Sequence, residues 1–253
     1  MSGHSKWANI KHKKGAADAK KGRIFSKLAK EIMVAVKQSG KEPDTNPKLR
    51  MCLTEARAAN MPRENIERAI KKGAGELGDV TFEEITYEGY GPAGVAIIVE
   101  CLSDNKNRTL SDVRLVFDRN NGNMGATGSV AYMFQRKAHF MIEGENATED
   151  KLMDLALEAG AEDLEVEDGV AEIWAETDAF ETIAKALEDA GITPSEAGIV
   201  RKPDNTIAIN EFDKAQQVLR LIDKLEDLDD VQKVTSNIEL SDEVMEKIAE
   251  QED

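Results

Sequence analysis

The chain has 253 residues, 41% hydrophobic and 32% charged, which is enough apolar material for packed domains and too much for global disorder. Its formal net charge of −16, taken alone, argues against a polyanionic partner. Two cysteines, Cys52 and Cys101, are too few for a disulfide framework or a thiolate zinc site and fit a reducing cytosol.

Residues 1–17 lack hydrophobic periodicity and set Lys6, Lys11, Lys13 and Lys14 around Trp7 and Ile10, which reads as an arm. The arm has no apolar core for a signal peptide, and its lysine-rich composition is a poor match to a mitochondrial transit peptide. Helical spacing begins after Asp18, with Ile24, Leu28, Ile32, Ala35 and Val36 on one face and Gly40 as the stop. Asn46 can cap a second helix with Pro47 at its first position and Leu49, Leu53 and Ala56 inward. Pro62 opens a third, carrying Ile66, Ala69 and Ile70 inward, with Lys71 and Lys72 at its negative end and Gly73 after them. Residues 1–76 thus form a basic arm and a three-helix domain, followed by a glycine-rich joint.

The pattern then changes. Val95–Cys101 reads as a buried strand, Asp104 as the cap of a helix running to Asn121–Gly122, and Val130–Phe134 as a strand. Tyr87–Pro92 reads as a turn with two exposed aromatics. Next come a strand at Ala138–Ile142, a helix at Glu149–Ala159, a hairpin around Asp168–Gly169, a helix at Ala179–Ala190 and a strand near Ser195–Arg201. That order is β-α-β-β-α-β, the split βαβ pattern of ferredoxin-like domains. Thr206–Ile209, the helix Asp213–Leu225 and the strand Val231–Ile238 complete the unit begun before residue 135. The expected class is α+β with three domains: the helical domain, a ferredoxin-like domain split over 77–135 and 204–240, and a second inserted at 136–203. Residues 241–253 read as an acidic tail.

The net charge conceals a division. Residues 1–75 carry 18 Lys/Arg against 7 Asp/Glu, and the remainder carries 15 against 42. A basic head on an acidic body is the asymmetry that points to a polyanion. Lys6, Lys11, His12, Lys13, Lys14, Lys20, Lys21, Arg23 and Lys27 can neutralise phosphates, and Trp7 can stack on an unpaired base. The competing account is a solvated tail with Trp7 against the first helix. Arg50, Arg57, Arg63 and Arg68 offer guanidinium forks for phosphate or guanine, or else pair with Glu55, Glu64 and Glu67. Lys106 and Arg108 lie at a helix N-terminus, where the dipole disfavours cations. A bound phosphate would remove that conflict, and so would extension into water. Catalysis has little support: His4, His12 and His139 stand in no metal-ligand spacing, and no nucleophile elbow occurs. No enzyme activity, cofactor or metal is expected, and no apolar run is long enough to cross a bilayer.

The strings GHSKWANIKHKK (Gly3–Lys14), GRIFSKLAKEI (Gly22–Ile32), ARAANMPRENIERAIKKG (Ala56–Gly73), YEGYGPAGVAIIVE (Tyr87–Glu100), DNKNRT (Asp104–Thr109) and GNMGATGSVAYMF (Gly122–Phe134) resemble the YebC/PmpR family. The likeness extends to about residue 238. The resemblance implies a helical N-terminal domain followed by two α/β domains, in a cytoplasmic transcriptional regulator that binds promoter DNA. It also implies an alternative, because the family includes mitochondrial activators of translation and bacterial members linked to ribosomes. The partners would then be ribosomal or messenger RNA and ribosomal proteins.

Overall fold

The computed structural model describes residues 18–78, 81–167 and 169–250. Residues 18–23, 81–135 and 203–250 gather into one compact unit, and residues 24–78 and 136–202 into another.

In the second of these units the helices come first: α1 (Asp18–Ser39, most of it in this unit), α2 (Pro47–Ala58) and α3 (Arg63–Gly73). Ile32 to Val36 are all buried, so α1 is enclosed on nearly every side there, while Ile24 at its start is 47% exposed and lies off the predicted stripe. Asn46 ties two helices together. Its Oδ1 accepts from Leu49 N at 3.0 Å as the predicted cap, and its Nδ2 donates to the carbonyls of Ala35 and Gly40 at 2.8 and 2.7 Å. α3 lies close against α1, because a Cβ on Gly73 would stand 2.7 Å from the Met33 carbonyl.

The same unit holds β4 (Phe134–Glu143), α5 (Glu149–Glu158), β5 (Ala161–Glu167), β6 (Val170–Ala175), α6 (Phe180–Asp189) and β7 (Glu196–Pro203). The sheet order β5-β6-β4-β7 is the ferredoxin-like arrangement that the β-α-β-β-α-β pattern predicts. Phe140, Ile142, Leu152, Ile173, Ile183 and Leu187 form its core between sheet and helices.

The first unit is built on β1 (Glu83–Tyr90), β2 (Ala96–Ser103), α4 (Lys106–Arg119) and β3 (Asn123–Met124). It continues with β8 (Ile207–Ile209), α7 (Phe212–Glu226), β9 (Val231–Ser236), β10 (Ile238–Leu240) and α8 (Asp242–Glu250). Its sheet runs β3-β1-β2-β9, with α4, α7 and α8 contributing to the core on one face. β2 is buried on both faces, as its unbroken apolar run predicts.

Four segments differ from the sequence expectation. The stretch read as a turn with exposed aromatics is strand β1, paired with β2 from Glu83↔Ser103 to Tyr90↔Ala96. Tyr87 enters the core and Tyr90 packs on the opposite face. Val130–Phe134 is a 3-10 turn over Ala131–Met133 leading into β4, because the Val130 and Ala131 N–H groups bond a side chain instead of a strand. Ile207–Ile209 lies outside the main sheet in a parallel pair with β10. The residues read as an acidic tail include helix α8, whose Val244, Met245 and Ile248 are spaced to reach the core.

Candidate nucleic-acid interface

The predicted contact residues meet different fates. Lys6, Trp7, Lys11, His12, Lys13 and Lys14 lie outside the described residues. Lys20 falls in the first turn of α1, where Lys21 is exposed and has no ion pair among the described residues. Arg23 pairs with Asp227, and Lys27 is half-buried.

Arg50 is committed to the fold. Its Nε and Nη2 donate to the Glu181 carboxylate at 2.7 to 3.2 Å, and its Nη1 donates to the carbonyls of Pro43 and Asp44 at 2.6 and 2.9 Å. These contacts engage all three guanidinium nitrogens. Its partner is Glu181 on α6, not one of the local glutamates that the sequence offered. Arg57, one helical repeat further along α2, stands 3.7 Å from Glu188, with both side chains mostly exposed. Arg63 pairs with Glu67 at 2.8 Å, the predicted neighbour four residues on, and is 90% exposed.

The segment Asp104–Thr109 is a structural node. The helix cap is Asn105, one residue after the predicted Asp104, and its side chain accepts from Arg108 N at 3.1 Å. Arg108 donates to Asp230 at 2.6 Å and to Asp104 at 2.7 Å. Asp230 also accepts from Ser103 Oγ at 3.0 Å and Thr109 Oγ1 at 2.9 Å, both of them buried hydroxyls. The hydrogen bond to Asp230, and then that to Asp104, hold the Arg108 guanidinium even further above its ordinary range. Two carboxylates therefore offset the clash with the helix dipole, a solution that neither the phosphate nor the water alternative included. Lys106 is exposed at the first position of α4, and its carbonyl accepts from the Tyr87 hydroxyl at 3.3 Å.

What remains for a polyanion in the helical domain is centred on α3. Arg68, Lys71 and Lys72 share an exposed face through their i, i+3 and i+4 spacing and make no ion pair among the described residues. The sequence reading assigned the two lysines to the helix dipole; the spacing with Arg68 was the signal that they also form a patch.

Burial pushes the Cys52 thiol far above its ordinary range, and Cys101 is buried as well. His139 stacks on Trp174 at 4.2 Å, and Lys202 lies over the same indole at 4.3 Å. Among the described residues no group of three or more His, Cys, Asp or Glu is placed to hold a metal, and no helix is long and apolar enough to cross a membrane.

Comparison with known proteins agrees with the layout. Residues 5–76 match the family model for the TACO1/YebC N-terminal domain, and residues 82–238 match that for the TACO1/YebC second and third domain. A protein of Treponema denticola is 55% identical over 95% of this chain and 97% of its own. One of Syntrophotalea carbinolica is 52% identical over 98% and 99%. Both carry the name "Probable transcriptional regulatory protein", which supports a regulatory role in general. The crystal structure of a conserved hypothetical protein from Aquifex aeolicus superposes with a TM-score of 0.81 at 45% identity, over 90% of this chain and 93% of that one. The chain belongs to the TACO1/YebC family.

Proposed function

We propose that this chain is a regulatory protein that acts by binding nucleic acid, with duplex DNA at promoters as its target and no catalytic step. The observation that carries this reading is the basic face of α3, where Arg68, Lys71 and Lys72 make no ion pair among the described residues, in the same 1–75 segment as the lysine-rich arm. Cations with no ion pair among the described residues are available to displace counterions from phosphates, whereas Arg50 and Arg108 are engaged by carboxylates. Arg57 and Arg63, each with a single exposed partner, belong to the available set. The names of the relatives favour transcription.

Binding to a promoter fragment should weaken with salt at a slope of about −0.9 per neutralised phosphate. Replacing Arg68, Lys71 and Lys72 with Gln should flatten that slope by about one unit for each cation that touches a phosphate. Equal affinity for promoter and scrambled duplex at every salt concentration would remove sequence-specific regulation.

A second reading, a ribosome-associated translation factor, is favoured by the acidic inserted domain lying in the same compact unit as the helical domain. Acidic surface repels a bare duplex but suits basic ribosomal proteins while the arm meets RNA. Co-sedimentation with ribosomes, lost on deleting residues 1–21, would select it over the first.

A further inference from the structure

The loop between β3 and β4 is held more firmly than a connection requires. Glu88 of β1 is 3% exposed, and its carboxylate accepts from the backbone N–H groups of Gly128 at 2.6 Å and of Val130 and Ala131 at 2.8 Å. The Glu88 carbonyl accepts from Gly125 N at 2.8 Å, and the Tyr90 hydroxyl donates to the Ser129 carbonyl at 3.0 Å. Val130 and Phe134 are buried in one cluster with Ala96 and Ile98, pinning both ends of the Ala131–Met133 turn. Between those anchors Tyr132 is 71% exposed.

Two properties of this loop point to a ligand. The backbone under Tyr132 is already ordered, so little further entropy is lost when the ring is covered. The whole stretch from Asn120 to Gln135 also lacks a charged side chain, in a chain that is 32% charged and whose body is strongly acidic. The Glu88 carboxylate beneath it is turned inward onto three N–H groups, and the acid next to the turn, exposed Asp204, is held by its backbone N–H, which donates to the Met133 carbonyl at 2.9 Å. A phosphate backbone can therefore approach here without facing an acidic side chain of the loop, and an exposed phenol ring stacks on any base that is free of its pair.

We propose that Tyr132, presented by the loop that Glu88 anchors, is a stacking platform for an unpaired nucleobase. This deepens the nucleic-acid reading above and rests on it. A paired base cannot reach the ring, so the platform acts on single-stranded or locally opened DNA, or on RNA loops.

The test uses the full-length protein and fluorescence anisotropy with three probes: a duplex DNA, a single-stranded DNA and a single-stranded RNA of the same length. Tyr132→Ala should weaken binding of the single strands about 5- to 100-fold and leave duplex affinity within about two-fold. Tyr132→Phe should bind as the wild type does, since the ring and not the hydroxyl makes the contact. The DNA and RNA arms show which strand is preferred. If Tyr132→Ala binds both single strands as tightly as the wild type, the platform is overturned while nucleic-acid binding stands. If the wild type binds none of the three probes at low salt, the underlying reading fails and the platform with it. The ring is exposed, so the alanine variant should keep the wild-type unfolding midpoint, and that measurement excludes a folding defect.

Discussion

Three backbone N–H groups converge on the buried carboxyl of Glu88, and that of Val130 is a donor that would otherwise be buried without an acceptor. Glu88→Ala should therefore lower unfolding stability by on the order of 3–5 kcal/mol in urea titrations, and Glu88→Gln, which keeps one acceptor, by less. A cost below about 1 kcal/mol for the alanine variant would mean that the loop reorganises freely. Residues that act locally were legible in the sequence. Asn46 before Pro47 is a cap by chemistry and position, and it caps. Glu88 was not legible, because its partners lie about 40 residues along the chain and an acid between Tyr87 and Tyr90 reads as a surface residue. The same holds for Arg50, whose acceptor Glu181 is 131 residues away.

Pairs of elements are joined by charges whose energies can be separated. Arg50 on α2 and Glu181 on α6 are both partly exposed, so a double-mutant cycle with alanine should give a coupling of about 1 kcal/mol, at the upper end for such pairs because the fork is bidentate. Lys137 on β4 links Glu162 of β5 to Glu176 beyond β6. The hydrogen bond from Lys137 holds the Glu176 carboxyl below its ordinary value, so its contribution is complete above that value and is lost as pH falls through the depressed one. The hydrogen bonds to Glu162 and then Glu176 raise the ammonium, whose contribution is complete below the ordinary lysine value and is lost as pH rises through the raised one. The bridge is thus intact across the neutral range. An NMR titration should place Glu176 below the ordinary glutamate value, returning towards it in Lys137→Met. At this scale periodicity found every helix from α1 to α7 and the order of the inserted sheet, because apolar spacing encodes them directly. It missed β1, where Gly89 and a buried acid break the alternation, and α8, where charged neighbours hide three apolar positions.

At the scale of the whole chain, −16 is the sum of a basic head and an acidic body, and the structure redistributes that contrast. Some head cations are already matched to acids, Arg23 to Asp227 and Arg50 to Glu181, so the charge available to a partner is smaller than the formal excess. The salt slope should accordingly report fewer phosphates than the 18 basic side chains of residues 1–75 would allow. The nesting of one α/β domain within another was legible because the β-α-β-β-α-β order is complete within residues 134–203 and interrupted outside it.

That nesting also bears on how the chain is made. Strand β2 is hydrogen-bonded on one side to β1, with five residues between the two, but on the other to β9, which leaves the ribosome about 130 residues later. The inserted domain, whose strands are close in sequence, can therefore complete its sheet while its host still waits for its last edge. During that interval Ala96–Ser103, an apolar strand with one unpaired side, has the character of a segment that recruits other chains. A chain arrested after α7 should aggregate through this edge, and one extended through Ser236 should not, which light scattering on the two nascent lengths would reveal.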